Sequence, residues 1–96
     1  MDNASILEAI LFVTESPVPI AELAEVHEGA VTDVQKELDV LSDRLVDRGL
    51  ELRNVGGGWR LYTHPDTYPY LDRFAATATA SRLSQAALET LAIVAY

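Results

Sequence analysis

The chain has 96 residues, enough for one small domain, or for one domain with a piece of a second. Fifteen acids against seven lysines and arginines give a net charge of -8, 49% of residues are apolar, and cysteine is absent. This composition supports a core, removes disulfide and thiolate chemistry, and lacks the basic footprint that nucleic-acid binding requires.

The first element expected is a helix over Ala4 to Thr14. Ile6, Leu7, Ile10, Leu11 and Val13 cover most of its surface, and Ser5, Glu8 and Glu15 form a thin polar stripe interrupted by Phe12. That apolar arc is wider than one small core needs. It fits a central helix covered on all sides, and it equally fits a helix that lends one side to another chain. The second reading makes Ile6, Ile10, Phe12 and Val13 candidates for a homodimer interface, with Phe12 foremost because it breaks the polar stripe.

Ser16-Pro17-Val18-Pro19 stops this helix, since proline blocks continuation. A short helix follows over Ile20 to Val26, with Pro19 tolerated at its start. Glu28-Gly29-Ala30 reads as a turn, and His27 is expected beside it. Thr32 with Gln35 makes a T-x-x-Q capping box, so a third and longest helix is expected to open there. Val34, Leu38, Leu41 and Leu45 recur at steps of four, three and four, one buried stripe. Gly49 is placed as the glycine that ends it. Its outer positions are Asp33, Lys36, Glu37, Asp39, Asp43, Arg44, Asp47 and Arg48, with acids in excess.

Leu50 to Val55 and Trp59 to Thr63 alternate apolar and polar, so they predict two strands joined by a Gly56-Gly57-Gly58 turn. The glycines lie between strands and lack a phosphate-loop lysine, which makes them a turn rather than a cradle. Arg53 and Arg60 are expected to face water. The open edges of such a hairpin could pair across a two-fold axis. Asp66 is expected to cap a fourth helix, with Pro69 in its first turn and Leu71 and Phe74 facing inward. An Ala/Thr tract then reads as a linker over 77–83.

The last stretch, LSQAALETLAIVAY, has Ser84 as an N-cap and Leu83 with Leu88 at staple spacing. Leu88, Leu91, Ala92 and Ala95 form one stripe, yet Ile93, Val94 and Tyr96 are apolar too. A helix apolar all round must be covered by further chain or by a partner, so Leu88, Leu91 and Ala95 are contact candidates.

Helix, helix, long helix and two-stranded hairpin in that order define a mostly α winged helix-turn-helix domain. It spans 1–76, with the linker over 77–83 and an isolated helix over 84–96. His27 and His64 are too few for a metal site, no nucleophile is paired with a base, and no cofactor is expected. Without about eighteen consecutive apolar residues no membrane span is expected. Asp2 and Asn3 stand where a signal peptide would be basic, so export is not expected.

Three segments resemble one family. LSQAALETLAIVAY is similar to the signature that opens the second half of segregation and condensation protein B. ILEAILFVTESPVPIAELAEV is similar to its first two helices and proline turn, and VGGGWRLYTHPD to its hairpin. The resemblance implies two winged-helix domains in tandem, of which 84–96 would begin the second. It implies a non-enzymatic, cytoplasmic, nucleoid-associated role: a homodimer that binds the kleisin subunit, segregation and condensation protein A, and through it the structural-maintenance-of-chromosomes ATPase. Chromosome condensation and segregation would be the outcome. The alternative is a winged-helix DNA-binding transcription regulator, which the acidic third helix disfavours.

Overall fold

The computed structural model describes residues 1–77. The final-helix candidates Leu88, Leu91 and Ala95, the cap at Ser84 and nearly all of the expected linker lie outside the described residues. Three helices and a hairpin follow in the expected order: α1 (Asn3–Val13), α2 (Ile20–His27), α3 (Val31–Arg44), β1 (Leu50–Val55) and β2 (Gly58–Thr63). A 3-10 turn, Pro65–Thr67, leads into α4 (Tyr68–Thr77).

Helix α1 begins because Asp2 caps it, its carboxylate accepting from the Ser5 amide at 2.9 Å. Ala4, Leu7 and Leu11 then recur on one side and are buried. They meet Leu23 and Ala24 of α2 and Val34, Leu38 and Leu41 of α3 in a single cluster. Each fully buried leucine contributes roughly 1.5–3 kcal/mol by leaving water. Ile10, Val18, Ile20, Leu45, Leu52, Trp59 and Leu61 pack around its margin.

Several helix boundaries differ from those expected. Helix α3 starts at Val31, not after Thr32, because the Ala30 carbonyl takes the amides of Asp33 and Val34 at 3.0 and 3.1 Å. Thr32 therefore lies inside the first turn, and Gln35 bonds Asp39 at 3.1 Å instead of closing a capping box. Helix α2 runs through His27 and ends on Glu28 in the left-handed region, φ 52°. The Gly29 amide closes that end on the Ala24 carbonyl at 3.1 Å, so that only Glu28, Gly29 and Ala30 join α2 to α3. Helix α3 ends at Arg44 with Leu45 as its C-cap, so Gly49 does not terminate it. The left-handed residue beyond is Asp47, φ 60°.

The hairpin register pairs Leu50 with Thr63, Glu51 with Tyr62, Leu52 with Leu61, Arg53 with Arg60, Asn54 with Trp59 and Val55 with Gly58. Its turn is two residues, not three. Gly56 and Gly57 hold φ 61° and 80°, the left-handed pair that suits strand twist. Gly58 belongs to β2, and a Cβ there would lie 2.7 Å from the Pro17 Cβ. Glycine is required at this point because the proline segment runs against the strand. Val18 and Trp59 exchange two backbone bonds of 2.8 Å, so the segment leaving α1 closes the outer edge of β2.

After the hairpin, Asp66 does not cap a helix. The His64 imidazole accepts from the Asp66 amide at 3.1 Å and caps the 3-10 turn, and α4 starts at Tyr68 with Pro69 in its first turn. Helix α4 extends to Thr77, into the expected linker, and buries no residue. Leu71 is half-buried, but Phe74 is 46% exposed and does not face inward.

Candidate protein interface

The outer side of α1 is apolar. Ile6, Ala9, Ile10 and Val13 stand at helical spacing i, i+3, i+4 and i+7, parallel to the buried row. Ile10 is half-buried at the core margin, while Ile6 stays exposed. Phe12 and Val13 are each 74% exposed at the end of the helix. Ile6, Ile10 and Val13 thus share one side of the helix, while Phe12 stands roughly 120° round from Ile6 between Ser5 and Glu8; Ile6, Phe12 and Val13 are open to contact. Helix amides and carbonyls bond within the helix, so this surface offers side chains and little else.

The helix carrying it is anchored at its start to α3. Arg44 donates to both carboxylate oxygens of Asp2, one bond measuring 3.1 Å, and a 3.4 Å bond joins it to the Ser5 hydroxyl. The Arg44 hydrogen bonds, aided by Ser5, hold the Asp2 carboxyl well below the usual range and raise the Arg44 guanidinium. Asn3 donates to Glu37 at 2.8 Å, and the second Glu37 oxygen lies 3.4 Å from the His27 imidazole. Glu37 and His27 are therefore a half-buried link between α1, α2 and α3. Neither is the freely exposed surface or turn residue expected.

The third helix shows a different surface. Asp33, Lys36, Asp39 and Asp43 are exposed along it, and Arg44 is committed to Asp2. A duplex approaching this face would meet mainly carboxylates. The wing holds one correction of note. Arg60 does not face water: it is 4% exposed and is not without a partner. It lies 5.4 Å from the ring of Tyr62, and Arg53 lies 5.5 Å from the same ring. Tyr62 is 1% exposed on the side of the hairpin away from the helical cluster. Two arginines directly opposite would repel, and the tyrosine ring within reach of both offsets this. Nothing in the sequence period distinguishes this buried outer face from a solvated one.

Among the described residues no group of three or more histidines, cysteines and acids could hold a metal ion. His64 serves the turn after β2, and His27 serves the link to Glu37. No described helix is long and apolar enough to cross a membrane.

Three helices over a hairpin wing, an acidic third helix and an apolar first one define a winged-helix domain whose bare surface is suited to protein. The profile of the segregation and condensation complex subunit ScpB family matches residues 5–96, and the chain belongs to that family. Segregation and condensation protein B of Desulforamulus reducens is 39% identical over 94 residues, covering 96% of this chain and 51% of that protein. The protein of the same name from Moorella thermoacetica is 41% identical over 93 residues, covering 94% and 47%. The chain thus spans about half the length of the curated relatives it matches. Among solved structures, ScpB from Mycobacterium tuberculosis matches with TM-score 0.71 and 38% identity, over 95% of this chain and 58% of that one. A dimer of the ScpB N-terminal domain complexed with ScpA peptide shares the fold, with TM-score 0.74 and 24% identity. That match covers 82% of this chain and 98% of the other.

Proposed function

We propose that this domain is a non-enzymatic, homodimeric subunit of a bacterial condensin-like complex in the cytoplasm. It binds the kleisin subunit, segregation and condensation protein A, and through it joins the structural-maintenance-of-chromosomes ATPase. Residues 1–76 are its N-terminal winged-helix domain, 77–83 the linker, and 84–96 the first helix of a second such domain. In that position Leu88, Leu91 and Ala95 pack within the second domain or on a partner.

The observation that carries this reading is the exposed outer side of α1, with Phe12 and Val13 each 74% exposed beside Ile6. Exposed apolar side chains spread this widely round one helix mark contact with another protein. A homodimer is the simplest symmetric way to cover them. The related N-terminal domain crystallised as a dimer with a kleisin peptide supports both halves of the proposal. The acidic α3 supports the absence of specific DNA binding.

Phe12→Glu tests it. By light scattering the wild type should have the mass of a dimer and the variant that of a monomer, with helical circular dichroism retained. Titration calorimetry should show the wild type binding a peptide of segregation and condensation protein A. A wild type monomeric at high micromolar concentration overturns the dimer, and absence of peptide binding overturns the kleisin contact.

A further inference from the structure

We infer that two copies of this domain join by pairing their β1 strands antiparallel about a two-fold axis at Leu52, an inference that rests on the homodimer reading. The argument begins with the phase of the hairpin. Trp59 gives its N–H to Val18 and takes the Val18 N–H in return. Its backbone groups therefore point away from β1. In an antiparallel pair, inward and outward groups alternate along both strands, in step for directly opposed residues. Asn54 opposes Trp59, so Asn54, Leu52 and Leu50 also turn their N–H and C=O groups outward. Among the described residues, no strand is bonded to that side of β1.

An axis at Leu52 satisfies this row. Leu52 then exchanges both bonds with Leu52 of the partner subunit, and Leu50 does so with Asn54 of the partner subunit. The same register sets Glu51 against Arg53 of the partner subunit, and Arg53 against Glu51 of the partner subunit. Hydrogen-bond phase admits only registers that pair outward residues with outward ones, and charge selects this one among them, since an axis at Glu51 or at Arg53 would set like charges against each other. Opposite charges placed across a strand pair stabilise it, and like charges weaken it. A slip of one residue would move every side chain to the wrong face. Within one chain Arg53 already has Glu51 at 4.0 Å, and Glu51 of the partner subunit adds a second carboxylate beside it.

The chain has no cysteine, which allows a register-specific test. Residues facing each other in a non-hydrogen-bonded pair lie about 4.5 Å apart at Cα, within disulfide reach. An equimolar mixture of Glu51→Cys and Arg53→Cys chains should oxidise to a disulfide-linked heterodimer, and neither variant alone should cross-link comparably. Separately, Glu51→Arg should weaken the dimer about tenfold, and adding Arg53→Glu to it should restore most of the loss. Light scattering reads the mass, and circular dichroism checks the fold. A dimer that neither cross-links between these positions nor responds to the charge reversal overturns the β1 pairing and leaves the homodimer standing. A monomeric wild type overturns both. Dissociation by Glu51→Arg but not by Phe12→Glu supports the β1 pairing and frees the α1 surface for another partner.

Discussion

Helices α1 and α3 make the same contribution to the core and opposite contributions to the surface. Each buries three residues, Ala4, Leu7 and Leu11 from one and Val34, Leu38 and Leu41 from the other. Outside, α1 shows Ile6, Phe12 and Val13, and α3 shows Asp33, Asp39 and Asp43. Packing accounts for the inner rows of both. It accounts for neither outer row. In a winged helix that reads DNA, α3 would be the element carrying positive charge. Here that helix is set to stay in water, and the apolar surplus has moved to the first helix.

The contrast breaks most visibly in stability. Leu38→Ala should destabilise by roughly 2–5 kcal/mol, read from the denaturant midpoint. Measured dilute enough for single copies, Phe12→Ala should change the stability of the folded domain by less than about 0.5 kcal/mol, since Phe12 is exposed on one copy. A large loss at Phe12 would make it part of the core and remove the distinction between the two sides of α1. Next comes the seam where the exit of α1 meets the wing. Gly58→Ala would bring a Cβ within 2.7 Å of the Pro17 Cβ and 2.8 Å of the Pro17 carbonyl carbon. A loss of roughly 1–3 kcal/mol is expected from such overpacking. Full stability in that variant would mean that the proline segment moves freely from β2.

Much of this was legible in the sequence. The inner rows of α1 and α3 obey the helical period, and the paired prolines fixed the end of α1. What escaped depends on neighbours. The T-x-x-Q pattern at Thr32 is a sound local cap, but closure of α2 on Gly29 leaves no room for a longer turn, and Ala30 takes the cap position. Phe74 follows an amphipathic pattern, yet α4 packs too loosely to bury it. Arg60 alternates like a solvated strand residue, and its burial beside Tyr62 is tertiary. For the candidate interface, the sequence marked a surplus of apolar residues on α1. It left open which of them point outward, because a period assigns faces only relative to one another.

The join between the two helices offers a finer test. Asn caps a helix as well as Asp does, so Asp2→Asn isolates the ion pair with Arg44. The Asp2 pKa is lowered in the folded state, first by the Arg44 hydrogen bonds. Its stabilisation is therefore full above the unfolded carboxyl pKa of about 3.9 and fades as pH falls below it. Asp2→Asn should lower Tm slightly at pH 7, and the two melting curves should converge in acid. A constant gap across that range would assign the effect to something other than the charge. The smallest expected signal is the absence of one. A mobility-shift titration with duplex DNA at physiological salt should show no specific complex, and a salt-sensitive complex of nanomolar affinity would reverse the assignment of α3.

The bridge between Val18 and Trp59 has a consequence for stoichiometry. A two-stranded ribbon has two sides on which another strand can add, and a ribbon open on both sides can grow without limit. Here one side is occupied from within the chain, and the residues flanking Val18 are Pro17 and Pro19, which have no N–H to offer a further strand. Addition is left with a single side. A sheet of that kind can join one other and then is full, so in the proposed β1 pairing the bridge between Val18 and Trp59 acts as a stop that holds association at two copies and out of fibres.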